Sequence, residues 1–186
     1  MTTNYSTQND LLLNNLREFY NDSDNIDQML NIINGESKIS LRIVDWFVTN
    51  YAKKYYTVYD LVSINGSKKR FKVYNDYKLK LKAYSKKRFD PFCRWDRISI
   101  PYKNDTCIQT TIGQLNFFKW AIDNDIIKYI NDHYENIELD MNTRNSSSRK
   151  RELSVDNKTR KKREELSILA SKSIKKEDIE IVVKFN

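Results

Sequence analysis

Chain reversals are scarce in this sequence, and that limits its fold more than any other feature. Of 186 residues, three are glycine and two are proline. Sandwiches and other turn-rich β folds use these residues at many of their reversals. The expected class is therefore α+β, mainly helical, with a small antiparallel sheet. Hydrophobic residues at 39% and aromatics at 12% suffice for one core, with Tyr and Phe carrying much of it.

Periodicity places the elements. Asn9–Tyr20 carries Leu12, Leu13, Leu16, Phe19 and Tyr20 at three- and four-residue spacings, the stripe of an amphipathic helix. Asn21–Asp24 stops it and supplies caps. Ile26, Met29, Leu30 and Ile33 define a second helix, closed by Asn34-Gly35. A third runs from about Ser37 to Lys54; its broad apolar face, Leu41 to Tyr51, marks it as a core helix. Tyr55–Ile64 is rich in β-branched and aromatic residues, Asn65-Gly66 supplies a turn, and Arg70–Tyr74 resumes, so a β-hairpin is expected over about 55–74.

Lys78-Leu79-Lys80-Leu81-Lys82 alternates like a strand, whereas Tyr77, Leu81 and Tyr84 fit one helical face. Strong helix formers without an intervening turn favour a helix over 77–87. Asp90-Pro91 breaks it, and Ile98–Tyr102 is a short extended piece. Thr111 and Gln114 form a T-x-x-Q capping box. It opens the most apolar helical block, Leu115–Ile130, bent near Asp123-Asn124.

Beyond it the apolar residues thin out. The expected organisation is a folded domain over 1–141, a basic, largely disordered segment over 142–176 with helical turns near 164–173, and a terminal strand at 177–186, centred on 179–185. That strand either returns to the domain sheet or pairs with a partner's sheet edge. No run approaches the roughly 18–20 apolar residues that span a bilayer, and Met1–Asp10 lacks an apolar signal core. The expectation is a soluble, non-secreted protein without membrane contact, with Cys93 and Cys107 as free thiols.

Charge is distributed in blocks. Residues 53–103 carry fifteen basic and four acidic side chains, and residues 144–176 carry twelve and four, whereas 1–52 and 104–143 are net acidic. Each basic block can attract polyanions by counterion release without reading sequence. The bland alternative is a solvated surface balanced by the acidic blocks. The richness in Asn, Ile, Lys and Tyr also fits an AT-rich genome, which would explain part of the lysine excess.

Chemistry-bearing motifs are few. Cys93, Cys107 and the single histidine, His133, fall short of a four-ligand metal site. A Cys–His dyad between either cysteine and His133 has no motif behind it, and no phosphate loop, nucleophile elbow or H-E-x-x-H is present. The expectation is a non-enzymatic protein without a cofactor.

The most unusual segment is Lys86-Lys87-Arg88-Phe89-Asp90-Pro91-Phe92-Cys93-Arg94-Trp95-Asp96-Arg97, where cations interleave with aromatics around Asp-Pro. One reading has the cations on phosphates and Phe92 and Trp95 on bases. The other is a structural corner, with Phe89, Phe92 and Trp95 anchoring it in the core and Asp90 and Asp96 pairing the arginines. The tail adds Arg149-Lys150-Arg151 and, eight residues on, Arg160-Lys161-Lys162-Arg163. That spacing suits a bipartite nuclear-import signal or a nucleic-acid-binding arm; a solvated spacer is the alternative.

Three segments, Leu41–Tyr51, Leu81–Arg94 and Ile112–Ala121, resemble an uncharacterised protein family of nucleocytoplasmic large DNA viruses, of the mimivirus and iridovirus kind. The basic stretch followed by Ile181-Val182-Val183-Lys184-Phe185 fits the same family. The resemblance implies a viral origin and a cytoplasmic factory, virion or host nucleus as location; it brings no active site with it.

The function expected is electrostatic nucleic-acid binding by a viral accessory protein. Lys68, Lys69, Arg70, Lys86, Lys87, Arg88, Arg94 and Arg97 would hold phosphates, Phe92 and Trp95 would stack, and the tail cations would extend the footprint. The alternative is a structural or assembly protein of the virion or transcription machinery, docking on a protein partner through the terminal strand or the Phe117–Trp120 helix.

Overall fold

The computed structural model describes residues 8–63, 65–103, 106–152 and 175–178. The expected strand at 179–185, the turns at 164–173 and the cluster Arg160–Arg163 lie outside the described residues.

Two helices open the chain, α1 (Gln8–Tyr20) and α2 (Ser23–Asn34). The Asp22 side chain caps α2 by accepting from the Asp24 N–H at 3.0 Å. Gly35, at φ 76°, ends it in the left-handed conformation that lets Glu36 N–H return to Asn31 O at 2.8 Å. The third helix begins later than the apolar pattern indicates, because the Ser40 hydroxyl caps it through Ile43 N–H. It runs as α3 (Leu41–Trp46), widens into a π-helical turn at Phe47–Tyr51 and closes as α4 (Ala52–Lys54). Thr49 Oγ1 donates to Asp45 O at 2.6 Å at that widening.

The hairpin pairs β1 (Val58–Val62) with β2 (Lys68–Lys72), Tyr59 opposite Phe71 on the inward face. Its loop closes through Gly66 at φ 76°, with Gly66 N–H donating to Ser63 O at 2.8 Å and Ser63 N–H to Ser67 O at 2.9 Å. Helix α5 (Val73–Arg88) follows directly, so the lysine-leucine alternation is helical, with a break at Ser85.

A second hairpin, β3 (Arg97–Pro101) with β4 (Thr106–Thr111), accepts β5 (Lys175–Asp178) on the far side of β4, giving the order β3-β4-β5, all antiparallel. The chain therefore does return to the domain sheet, at Lys175–Asp178. Helix α6 (Ile112–Asp123) is central: Leu115, Phe117, Phe118, Trp120 and Ala121 are all buried. Its Leu115 carbonyl accepts from Tyr20 Oη at 2.8 Å, and its Trp120 indole donates to Asp76 at 2.6 Å. The helical block breaks at Asn124-Asp125, where Asp125 adopts φ 53°, and resumes as α7 (Ile126–Asp132). Helix α8 (Tyr134–Glu152) runs past Asn142, through the first residues of the segment read as largely disordered. Those residues contain neither Gly nor Pro to stop it.

The molecule is thus one mainly helical domain with two small antiparallel sheets. No described helix is long and apolar enough to cross a membrane.

Candidate nucleic-acid interface

The basic-aromatic segment leaves α5 as a tight corner, and its two readings divide between its residues. Phe89 is 1% exposed and meets the rings of Tyr77, Tyr84, Phe117 and Trp120. Asp90 Oδ1 accepts from Phe92 N–H at 2.8 Å, and Cys93 N–H donates to Asp90 O at 3.1 Å, closing the turn around Pro91. Helix α6 then clamps it. Asp90 N–H donates to Gly113 O at 3.3 Å, Gln114 Nε2 to Pro91 O at 3.1 Å and Asn116 Nδ2 to Arg88 O at 2.8 Å.

Gly113 is required by close approach. A Cβ there would lie 2.8 Å from Cys93 Cβ and 3.1 Å from Lys87 O. Half of the capping box forms, Thr111 Oγ1 accepting from Gln114 N–H at 3.2 Å. The Gln114 side chain also engages Pro91 O and the Thr110 hydroxyl.

The outer side of the corner is open. Trp95 is 74% exposed, and Lys86, Lys87, Arg94 and Arg97 are exposed with it. Arg88 is half-buried, and Phe92 is half-buried and packed on the core, so Trp95 is the free stacking surface. Both ends of the corner hold non-glycine residues at positive φ, Ser85 at 61° and Asp96 at 51°. Such conformations cost on the order of 1–3 kcal/mol each and persist where surrounding contacts fix them. Here the clamp on α6 does so, and Trp95 is held out rather than folded in.

Charge pairing inside the corner involves a lysine, beyond the arginines the sequence suggests. Lys87 bridges Asp96 at 2.8 Å. The Lys86 charge acts on both Asp90 and Asp45, the latter carried by α3, without forming an ion pair with either among the described residues. Burial, then the Asp90 charge, raises the Asp45 carboxyl to about 6, with Lys86 opposing. Burial also raises Asp90, against the Phe92 N–H bond and Lys86, and pushes Tyr77 up to about 12, with Asp45 and Asp90 adding to it. Asp45, Lys86–Asp90 and Gln114–Asn116 belong to the three segments that carry the family resemblance, and they meet at this corner. A groove of about 470 Å³ opens beside it between Lys86, Phe92 and Trp95.

The remaining sequence-derived cations lie elsewhere. Lys68 and Arg70 share the solvent face of β2, while Lys69, one residue out of phase, lies on the other face and is exposed near the hairpin end. Arg149–Arg151 fall on the α8 backbone. Sequence reasoning missed the residues that join hairpin to corner. Lys78 and Lys82, one turn apart on α5, are exposed, and neither makes an ion pair among the described residues. Their signal was the four-residue spacing, masked by the alternation with leucine.

No group of His, Cys, Asp or Glu among the described residues is arranged to hold a metal ion. Both cysteines are free thiols. Cys93 Sγ donates to Lys87 O at 3.4 Å, while His133 Nδ1 lies 3.0 Å from Tyr129 O with its ring stacked on Tyr129. Each of these two candidate dyad members is engaged with its own neighbourhood. The Phe117–Trp120 helix, weighed as a docking anchor, faces the core instead.

A family model described as a family of unknown function (DUF7197) matches residues 3–186. A curated relative, "Uncharacterized protein L507" of Acanthamoeba polyphaga mimivirus, is 48% identical over 136 residues, which is 70% of this chain and 52% of the relative. The chain therefore spans about half the length of that relative. No solved structure matches. The viral resemblance drawn from the three segments is borne out by the mimivirus relative, and the chain belongs to the family of unknown function DUF7197.

Proposed function

We propose that this chain is a non-enzymatic viral accessory protein that binds nucleic acid electrostatically through α5, the first hairpin and the corner, with the basic tail extending the footprint. One observation carries the reading. Lys68, Lys69, Arg70, Lys78, Lys82 and Arg97 are exposed and make no ion pair among the described residues. Exposed cations raise local polyanion concentration and gain affinity by releasing counterions, although Arg70 has Asp60 opposite it across the ladder. Lys86 and Lys87, facing Asp45, Asp90 and Asp96, contribute less. The cytoplasmic viral factory or the virion is the place of action that suits such a protein, and the bipartite tail suits the host nucleus.

The test is a salt titration of binding to labelled nucleic acid. Lys78→Gln with Lys82→Gln should lower the slope of log K against log salt by about 1.5, since each phosphate neutralised contributes roughly 0.7–0.9 to it. Lys86→Gln with Lys87→Gln should lower it less. An unchanged slope in the first pair removes α5 from the interface.

A second reading is an assembly protein that docks on a protein partner. The exposed apolar residues Val58 and Val62 of the first hairpin, beside Tyr55 and Tyr56, favour it. Absence of nucleic-acid binding at low salt would transfer the function to that surface.

A further inference from the structure

Resting on the nucleic-acid reading, we infer that the ligand is single-stranded, its unpaired bases stacking on Trp95 and Tyr56 at the two ends of α5 while the lysines between them hold the backbone. Two features set these aromatics apart. Trp95 is 74% and Tyr56 86% exposed, an unusual loss of burial for rings of this size. Both also sit at defined chain reversals: Tyr56, at φ 49°, is the left-handed cap that ends α4, with Thr57 N–H donating to Ala52 O at 3.1 Å, and Asp96, next to Trp95, has φ 51°. Rings on ordered backbone lose less freedom on meeting a ligand.

The two rings border separate grooves, one at each end of α5. The groove at Tyr56, about 290 Å³, also takes in Lys53, Lys72 and Asn75. The groove at Trp95 takes in Lys86 and Phe92. Between them Asn75, Lys78, Leu79 and Lys82 recur at three- and four-residue spacing and are all exposed. The regular part of α5, Val73–Tyr84, is roughly 18 Å long at 1.5 Å per residue. That suits a short single strand, whose binding modules cover about 4–16 nucleotides with aromatics as stacking platforms. A duplex keeps its bases stacked on one another and has no face to offer Trp95; it would meet only the lysines. The carboxylates in the Trp95 groove do not oppose this, since Lys87 pairs Asp96, and the Phe92 N–H and Lys86 attend Asp90.

The experiment uses the full chain with a labelled single strand of about 16 nucleotides and the same strand annealed to its complement. The single strand should bind more tightly. Trp95→Ala should weaken single-strand binding by about 5- to 100-fold, the range a stacked base commands, and leave duplex binding unchanged; Trp95→Phe should restore most of the loss. Trp46 and Trp120 donate to Asp140 and Asp76 from half-buried and buried sites, so quencher-accessible emission reports Trp95. The single strand should shield that emission and the duplex should not. Equal affinity for both forms with no effect of Trp95→Ala overturns the inference and leaves electrostatic binding standing. Failure to bind either form overturns both.

Discussion

Asp45→Asn should stabilise the protein at neutral and alkaline pH. The carboxyl is half-buried on α3 and stands at about 6 rather than its usual 3.8, because burial, then the Asp90 charge, disfavours ionisation while Lys86 only partly compensates. A shift of that size corresponds to about 3 kcal/mol, at about 1.4 kcal/mol per pH unit. Solvent reaching the half-buried group trims the expected effect to about 2 kcal/mol. The sign follows from linkage. The folded value lies above the unfolded one, so the contribution of Asp45 to stability is fully present below pH 3.8 and is lost as pH rises through about 6. The amide cannot ionise and keeps the shape, so the variant escapes that loss. Thermal unfolding of both proteins from acid to alkaline pH is the assay. The two should be alike at acid pH and separate between about pH 4 and 7, the variant melting higher by about 4–8 °C above that window. Parallel pH profiles would refute the burial of the Asp45 carboxyl on α3.

Two further perturbations test the clamp and the outer helix. Gly113→Ala forces a methyl to within 2.8 Å of Cys93 Cβ and should cost about 1–3 kcal/mol in urea unfolding. It should also speed thiol labelling at Cys93, which is buried in the native chain. Asp140 has only 5% of its side chain exposed and accepts from Trp46 at 3.1 Å and Lys54 at 2.7 Å. Burial acts to raise its carboxyl, but the Lys54 and Trp46 bonds and the nearby Arg144 outweigh it and hold it below the usual range. Its stabilising contribution is therefore present above the unfolded value and lost as pH falls through the folded one, so Asp140→Asn should flatten the acid limb of the pH–stability curve. A limb as steep as in the parent chain would refute this role.

What the sequence made legible was local. Helices α1 and α2 follow from apolar spacing with Asp22 and Gly35 at their boundaries, and the first hairpin follows from Asn65-Gly66. Strand β4 was missed, although Asn104-Asp105 stands just before it, because Thr106–Thr111 ends in residues that equally read as a helix cap; its identity depends on β3 and β5, one of them distant in sequence. The π-helical turn at Phe47–Tyr51 was invisible because the same residues satisfy an α-helical face. The break at Ser85 lies within Ala83-Tyr84-Ser85-Lys86-Lys87, a run with no Pro or Gly, and it exists because Asn116 and Gly113 seize the chain just beyond.

The same locality explains why the interface was only half legible. Counting charge along the chain makes residues 53–103 the strongest cationic block, with Lys86 and Lys87 at its centre. Folding brings a carboxylate from the acidic first block, Asp45, within the field of Lys86, and turns the chain so that Asp96 meets Lys87. The charge of a sequence block is therefore not the charge of a surface. Among the described residues, the exposed cations that make no ion pair include Lys68 and Arg70 on one strand face, with Asp60 across the ladder from Arg70, and Lys78 and Lys82 on one helix face. The interface is best probed at those four residues, since a neutral substitution at Lys86 or Lys87 removes an internal partner from Asp45, Asp90 or Asp96 as well as a cation from the surface.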